Sequence, residues 1–141
     1  MKLIFKRADS MPEFLRQIPR PERPKYADTL RFPDDVTQLS PGNVSELLGK
    51  YTQLYAYVNA SLCQVNVDIL SLETQMSFAR TQYLRENPHV NNQERWRRDA
   101  VLDSYPPMQN LALKLSLKQR EREWAKTYLE NYDRYIVALS R

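Results

Sequence analysis

Few side chains in this sequence have the types and spacing that catalysis requires. His89 is the single histidine and Cys63 the single cysteine. A Cys-His or Ser-His-Asp arrangement needs the imidazole beside its nucleophile. Cys63 falls well over a helical turn or two away from His89 on the helical pattern described below. His89 therefore reads as a turn residue exposed to water beside Pro88, and Cys63 as a small packed side chain next to Leu62. Carboxylates do not cluster. Asp34 and Asp35 stand alone as turn or cap chemistry, and Glu121 and Glu123 alternate with Arg120 and Arg122 in the manner of i,i+4 helix pairs. No Glu-x-x-His, His-x-x-x-His or EF-hand spacing occurs. The reading is a protein that is not an enzyme, with no metal and no cofactor.

Two segments have the composition of a nucleic-acid contact. "ERWRRD" places Arg95, Arg97 and Arg98 around Trp96. "KLSLKQREREWAKTY" interleaves Lys114, Lys118, Arg120, Arg122 and Lys126 with Trp124 and Tyr128. Basic grooves with stacking aromatics hold single strands without sequence preference. Packing explains the same residues equally simply: Trp96 would cap a helical core, and Trp124, Tyr128 and Tyr132 share a face at i,i+4 spacing.

These residues sit on a regular helical pattern. "SPGNVSELLGKY" offers Ser40 before Pro41 and Asn43 three residues before Glu46, two signals for a helix start. Alternating steps of four and three then run through Val44, Leu48, Tyr51, Tyr55, Val58 and Leu62. They continue through Val65, Ile69, Leu72, Met76, Ala79 and Tyr83. This is a sustained heptad seam, which predicts one long helix over about 44–86. Asn87-Pro88 ends it, a short helix is expected over about 92–103, and Pro106 or Pro107 opens a last helix over about 106–140. That helix repeats the seam with Met108, Leu111, Leu115, Ala125, Leu129, Tyr132, Ile136 and Leu139, interrupted only by Lys118 and Arg122.

The fold class that follows is all-α: a long, coiled-coil-like antiparallel helical hairpin over residues 40–141, with a short helix at the turn. Setting Tyr83 beside Met108 brings Lys118 near Glu73 and Arg122 near Asp68, so the two seam cations are expected to be internal ion pairs. Each long helix also carries apolar residues off the seam: Leu47, Leu54, Leu70, Phe78 and Leu84 on the first, Leu113, Leu117, Trp124, Tyr128 and Tyr135 on the last. One facing helix cannot cover both stripes, so association is expected.

Residues 1–39 read as an extended, proline-rich, basic arm. "RQIPRPERPKYADTLRFP" holds Pro19, Pro21, Pro24 and Pro33, which exclude a helix interior or a central strand. Residues 1–25 carry seven basic groups against three acidic ones, within a chain of net charge +4. The expectation is that the arm makes few contacts with its own helices and docks on another chain. Its anchors would be Phe5, Phe14, Ile18, Arg20, Arg23, Tyr26 and Phe32. A length of 141 residues with 42% hydrophobic content suits one small domain with such an arm. Only two glycines argue against a β-rich fold or a glycine-rich phosphate loop, and one cysteine excludes an intrachain disulfide framework. "MKLIFKRA" lacks the apolar run of a signal peptide, and nothing approaches the length of a membrane span.

"LSPGNVSELLGKYTQLYAYVNASL", together with "RWRRDAVL", "DSYPPM" and "LENYDRYIVALSR", resembles small helical-hairpin proteins encoded by tailed bacteriophages. The resemblance covers residues 38–141 and leaves the arm outside it. Some such proteins resemble the phage recombination-mediator family, which assembles as helical oligomers on single-stranded DNA. The resemblance implies a structural or assembly protein of the virion, put together in the host cytoplasm: a capsid-associated, decoration or connector-type component present in several copies. The alternatives are a cytoplasmic single-strand-binding accessory protein, touching nucleic acid through the arm or the hairpin tip, and a small inhibitor of a host enzyme.

Overall fold

A computed structural model describes residues 22–141 of the chain. Helix accounts for 81% of them and no strand occurs among them, so the all-α expectation holds. Among the described residues a 3-10 turn (Val36–Gln38) precedes four α-helices: α1 (Pro41–Glu86), α2 (Pro88–Asn91), α3 (Arg95–Asp103) and α4 (Pro106–Ser140). The two long ones pack against each other.

Helix α1 starts where the capping chemistry dictates. Ser40 accepts a hydrogen bond at its Oγ from the amide of Asn43 (3.2 Å), and Pro41, which has no amide to satisfy, takes the first helical position. The helix runs unbroken for 46 residues, about 69 Å at 1.5 Å per residue. Its start lies three residues earlier than the seam alone predicts, because Ser40 rather than Asn43 is the cap. Hydroxyl residues inside it satisfy themselves on the helix's own backbone. The hydroxyls of Thr52, Ser61, Thr74 and Thr81 donate to the carbonyls four residues before them. Asn87 closes the helix, donating both its amide and its side-chain Nδ2 to the Tyr83 carbonyl at 2.9 Å. Pro88 then prevents continuation. The short helix expected over about 92–103 is α3, which Glu94 caps without a side-chain bond, and a further four-residue helix, α2, precedes it from Pro88.

All twelve seam positions of α1 and all ten of α4 are buried or half-buried, including Lys118 and Arg122. Two compact units divide the chain, and both long helices contribute to each. In residues 65–121 the buried apolar side chains are Val65, Ile69, Val90, Leu102 and Met108, and the rings of Tyr83 and Tyr105 meet at 4.6 Å. In residues 22–64 with 122–141 the core is Tyr51, Leu54 and Leu139.

That second core corrects the expectation for residues 26–39 of the arm. Tyr26, Ala27, Leu30, Phe32, Val36 and Leu39 all pack against Tyr51, Leu54 and Leu139 of their own chain. Phe32 stacks on Tyr135 (centroids 4.4 Å, planes 17° apart) and lies 6.0 Å from Tyr51. The Tyr26 hydroxyl donates to Gln53, and Lys50 Nζ sits 5.4 Å above the Tyr26 ring. Arg23 is paired with Asp28. Tyr26 and Phe32 thus pack on their own chain, whereas Arg23 is exposed and paired only with Asp28 of its own segment; Phe5, Phe14, Ile18 and Arg20 lie outside the described residues.

Local chemistry holds the segment without regular structure. Residues 25–29 form a turn closed by Ala27 N to Pro24 O and Leu30 N to Tyr26 O. Asp35 caps a 3-10 turn (Val36–Gln38) by accepting from the Thr37 hydroxyl (2.6 Å) and amide (3.0 Å). Those two bonds hold the Asp35 carboxyl below its ordinary value, as the Arg23 hydrogen bond does for Asp28.

Burial raises the phenols of Tyr51 and Tyr132, with neighbouring tyrosines adding to the effect. A raised folded value means that this stabilisation is complete below the ordinary phenol pKa near 10 and is lost as pH climbs through the higher folded value. An alkaline titration followed at 295 nm should show these two of the nine tyrosines ionising late, in step with loss of helical ellipticity. Ionisation of every tyrosine near pH 10 with the helix signal intact would contradict it.

Candidate functional site

Three clusters of polar and aromatic side chains stand out, and the first is structural. Lys118 Nζ lies 3.4 Å from Asp68 Oδ2 and 3.2 Å from Glu121 Oε2. Asp68 is only 7% exposed and Lys118 25%, so both charges are largely withdrawn from water. The seam cation therefore has an internal acidic partner, as expected, though the partner is Asp68 and not Glu73, which is exposed. Glu73 lies on the exposed side of α1, whereas Asp68 is buried beside Lys118, so setting Tyr83 beside Met108 does not by itself give the partner. Arg122 pairs through Nε with its neighbour Glu123 at 3.7 Å. Beside the Lys118 group lies a groove of about 260 Å³, with Leu72 and Leu117 among its lining and Lys114 and Glu121 along α4.

The second cluster is α3. Trp96 is exposed, not capping a core; its indole Nε1 donates to Glu94 (2.6 Å) and the Arg97 guanidinium lies 5.0 Å above its ring. Arg95 points into solvent, 3.9 Å from Asp99, which also receives Arg80 at 2.9 Å. Arg98 is half-buried, with no hydrogen-bond partner at its buried Nε. Three arginines and a tryptophan thus share one short helix, but two acidic side chains, Glu94 and Asp99, already occupy part of it.

The third is the off-seam apolar set. Leu47, Leu54 and Tyr135 are covered or half-covered in the core that the residues preceding α1 join, with Phe32 stacked on Tyr135. Leu70 and Phe78 on α1, and Leu113, Leu117, Trp124 and Tyr128 on α4, remain exposed. Leucine and aromatic side chains facing solvent are the kind of surface that association covers. Sequence spacing places these residues off the seam. Sequence reasoning missed the covering segment, although Tyr26, Leu30, Phe32, Val36 and Leu39 stood immediately before the helix whose stripe needed a cover.

His89 is exposed on α2, and Cys63 is exposed rather than packed, because it lies one position off the seam residue Leu62. Among the described residues no group of three or more His, Cys, Asp or Glu side chains could hold a metal ion. No described helix is long and apolar enough to cross a membrane. Compared with protein-family models, with curated proteins and with solved structures, the chain matches none of them.

Proposed function

We propose that this chain is a non-enzymatic assembly protein, an antiparallel helical hairpin that works by lending the outer faces of its long helices to protein partners. The observation that carries the reading is the uncovered set Leu70, Phe78, Leu113, Leu117, Trp124 and Tyr128. Side chains of this size cost free energy in water, of order 25 cal/mol per Å² of apolar surface, and association recovers it. The Lys118–Asp68 pair supports the hairpin, since a cation inside an apolar seam fixes one pairing of the helices over its alternatives.

The pattern-level resemblance to hairpin proteins of tailed phages supports a virion as the setting, with several copies per particle. Quantitative mass spectrometry of purified particles should find this chain in fixed stoichiometric copies, and its absence from them would overturn the virion placement. A second reading, single-strand binding at α3, is favoured by the exposed Trp96 with Arg97 stacked on it. On that reading a fluorescein-labelled oligo-dT would gain anisotropy with the chain, lose it on Trp96→Ala, and weaken steeply with salt.

A further inference from the structure

The outward face of α4 carries a second heptad row behind the buried seam. Leu113, Leu117, Arg120 and Trp124 follow one another at steps of four, three and four, the spacing of alternating core positions in a coiled coil. The three apolar members are 62%, 49% and 65% exposed. Lys114 and Glu121, seven residues apart, flank the row on one edge, and both are exposed, Glu121 keeping half its surface in water while one of its oxygens meets Lys118 of its own chain.

This arrangement is self-complementary. When two copies of α4 lie antiparallel, Leu113 of each meets Trp124 of the other, and Leu117 meets the aliphatic stem of Arg120. The same register puts Lys114 of each copy opposite Glu121 of the other, twice over. A parallel register would set Lys114 and Glu121 against Gln109 and Ser116 of the second copy, with no charge to match. A two-fold axis requires one patch to fit itself, and an apolar row edged by one cation and one anion at mirrored positions does.

We propose that the chain forms an antiparallel homodimer through the 113–124 face of α4. This deepens the assembly reading by naming a second copy as the partner, and it rests on that reading.

Sedimentation equilibrium of the full chain tests it. The expected result is a species of twice the chain mass, with Leu113→Glu/Trp124→Glu weakening the dimer by about tenfold or more while helical ellipticity stays unchanged, since both side chains face solvent. Charge reversal fixes the register. Lys114→Glu alone and Glu121→Lys alone should each weaken self-association, because like charges then face across the axis. An equimolar mixture of the two variants should recover dimer as the mixed species. A chain that stays monomeric at all concentrations overturns the dimer. So does a dimer indifferent to Leu113→Glu/Trp124→Glu, or a mixture of charge variants that fails to recover. A monomeric chain still present in fixed copies within particles would sink this inference and leave the assembly reading standing.

Discussion

Tyr51→Ala is expected to destabilise the protein by about 3–5 kcal/mol, the range for removing a large ring from a packed interior. Tyr51 is 2% exposed and touches three other rings: Phe32 and Tyr132 at 6.0 Å and Tyr135 at 5.1 Å. Deleting its ring opens a cavity bounded by both long helices' side chains and by the segment before α1, none of which can close on it without moving. Small domains are stable by roughly 5–15 kcal/mol, so the loss should be visible as a large drop in urea midpoint. Tyr51→Phe keeps the ring and should cost far less. If Tyr51→Ala unfolds within 1 kcal/mol of the parent, the aromatic cluster is not packed as described.

Lys118→Ala should cost about 2–3 kcal/mol, below the figure for a fully buried pair because Lys118 keeps a quarter of its surface in water. Asp68 stays buried with one cation fewer, and the penalty is its desolvation. Replacing both groups by apolar side chains of similar length, Lys118→Met with Asp68→Leu, should recover most of that loss. A double-mutant cycle at moderate salt measures the coupling. Independent, additive effects of the two single substitutions would show that the seam charges do not interact.

The helices were legible because their signals are local. A heptad seam, a serine before a proline, and an Asn-Pro break each act within a few residues, and all three positions hold in the structure. The Lys118 partnership was legible in kind but not in identity. Register depends on how residues 87–105 turn, and Tyr83 against Tyr105 is a tertiary choice that periodicity does not encode. Residues 26–39 were misread for a different reason. Prolines exclude a helix interior or a central strand, yet they say nothing about whose surface a segment covers. The uncovered stripe at Leu47, Leu54 and Tyr135 was visible in the sequence, and so were the apolar residues that cover it; joining the two required the fold. Removing residues 26–32 should therefore injure the chain's own core.

In the assembly proposed above, the outer face of α4 is where this chain meets its partners. Carbene footprinting of the full chain measures that directly, residue by residue, first at nanomolar concentration and then at high micromolar concentration or within purified particles. Leu113, Leu117 and Trp124 should label strongly in the dilute chain and be markedly protected on association, with Trp96 labelled equally in both. Unchanged labelling of Leu113, Leu117 and Trp124 in every associated state would contradict it.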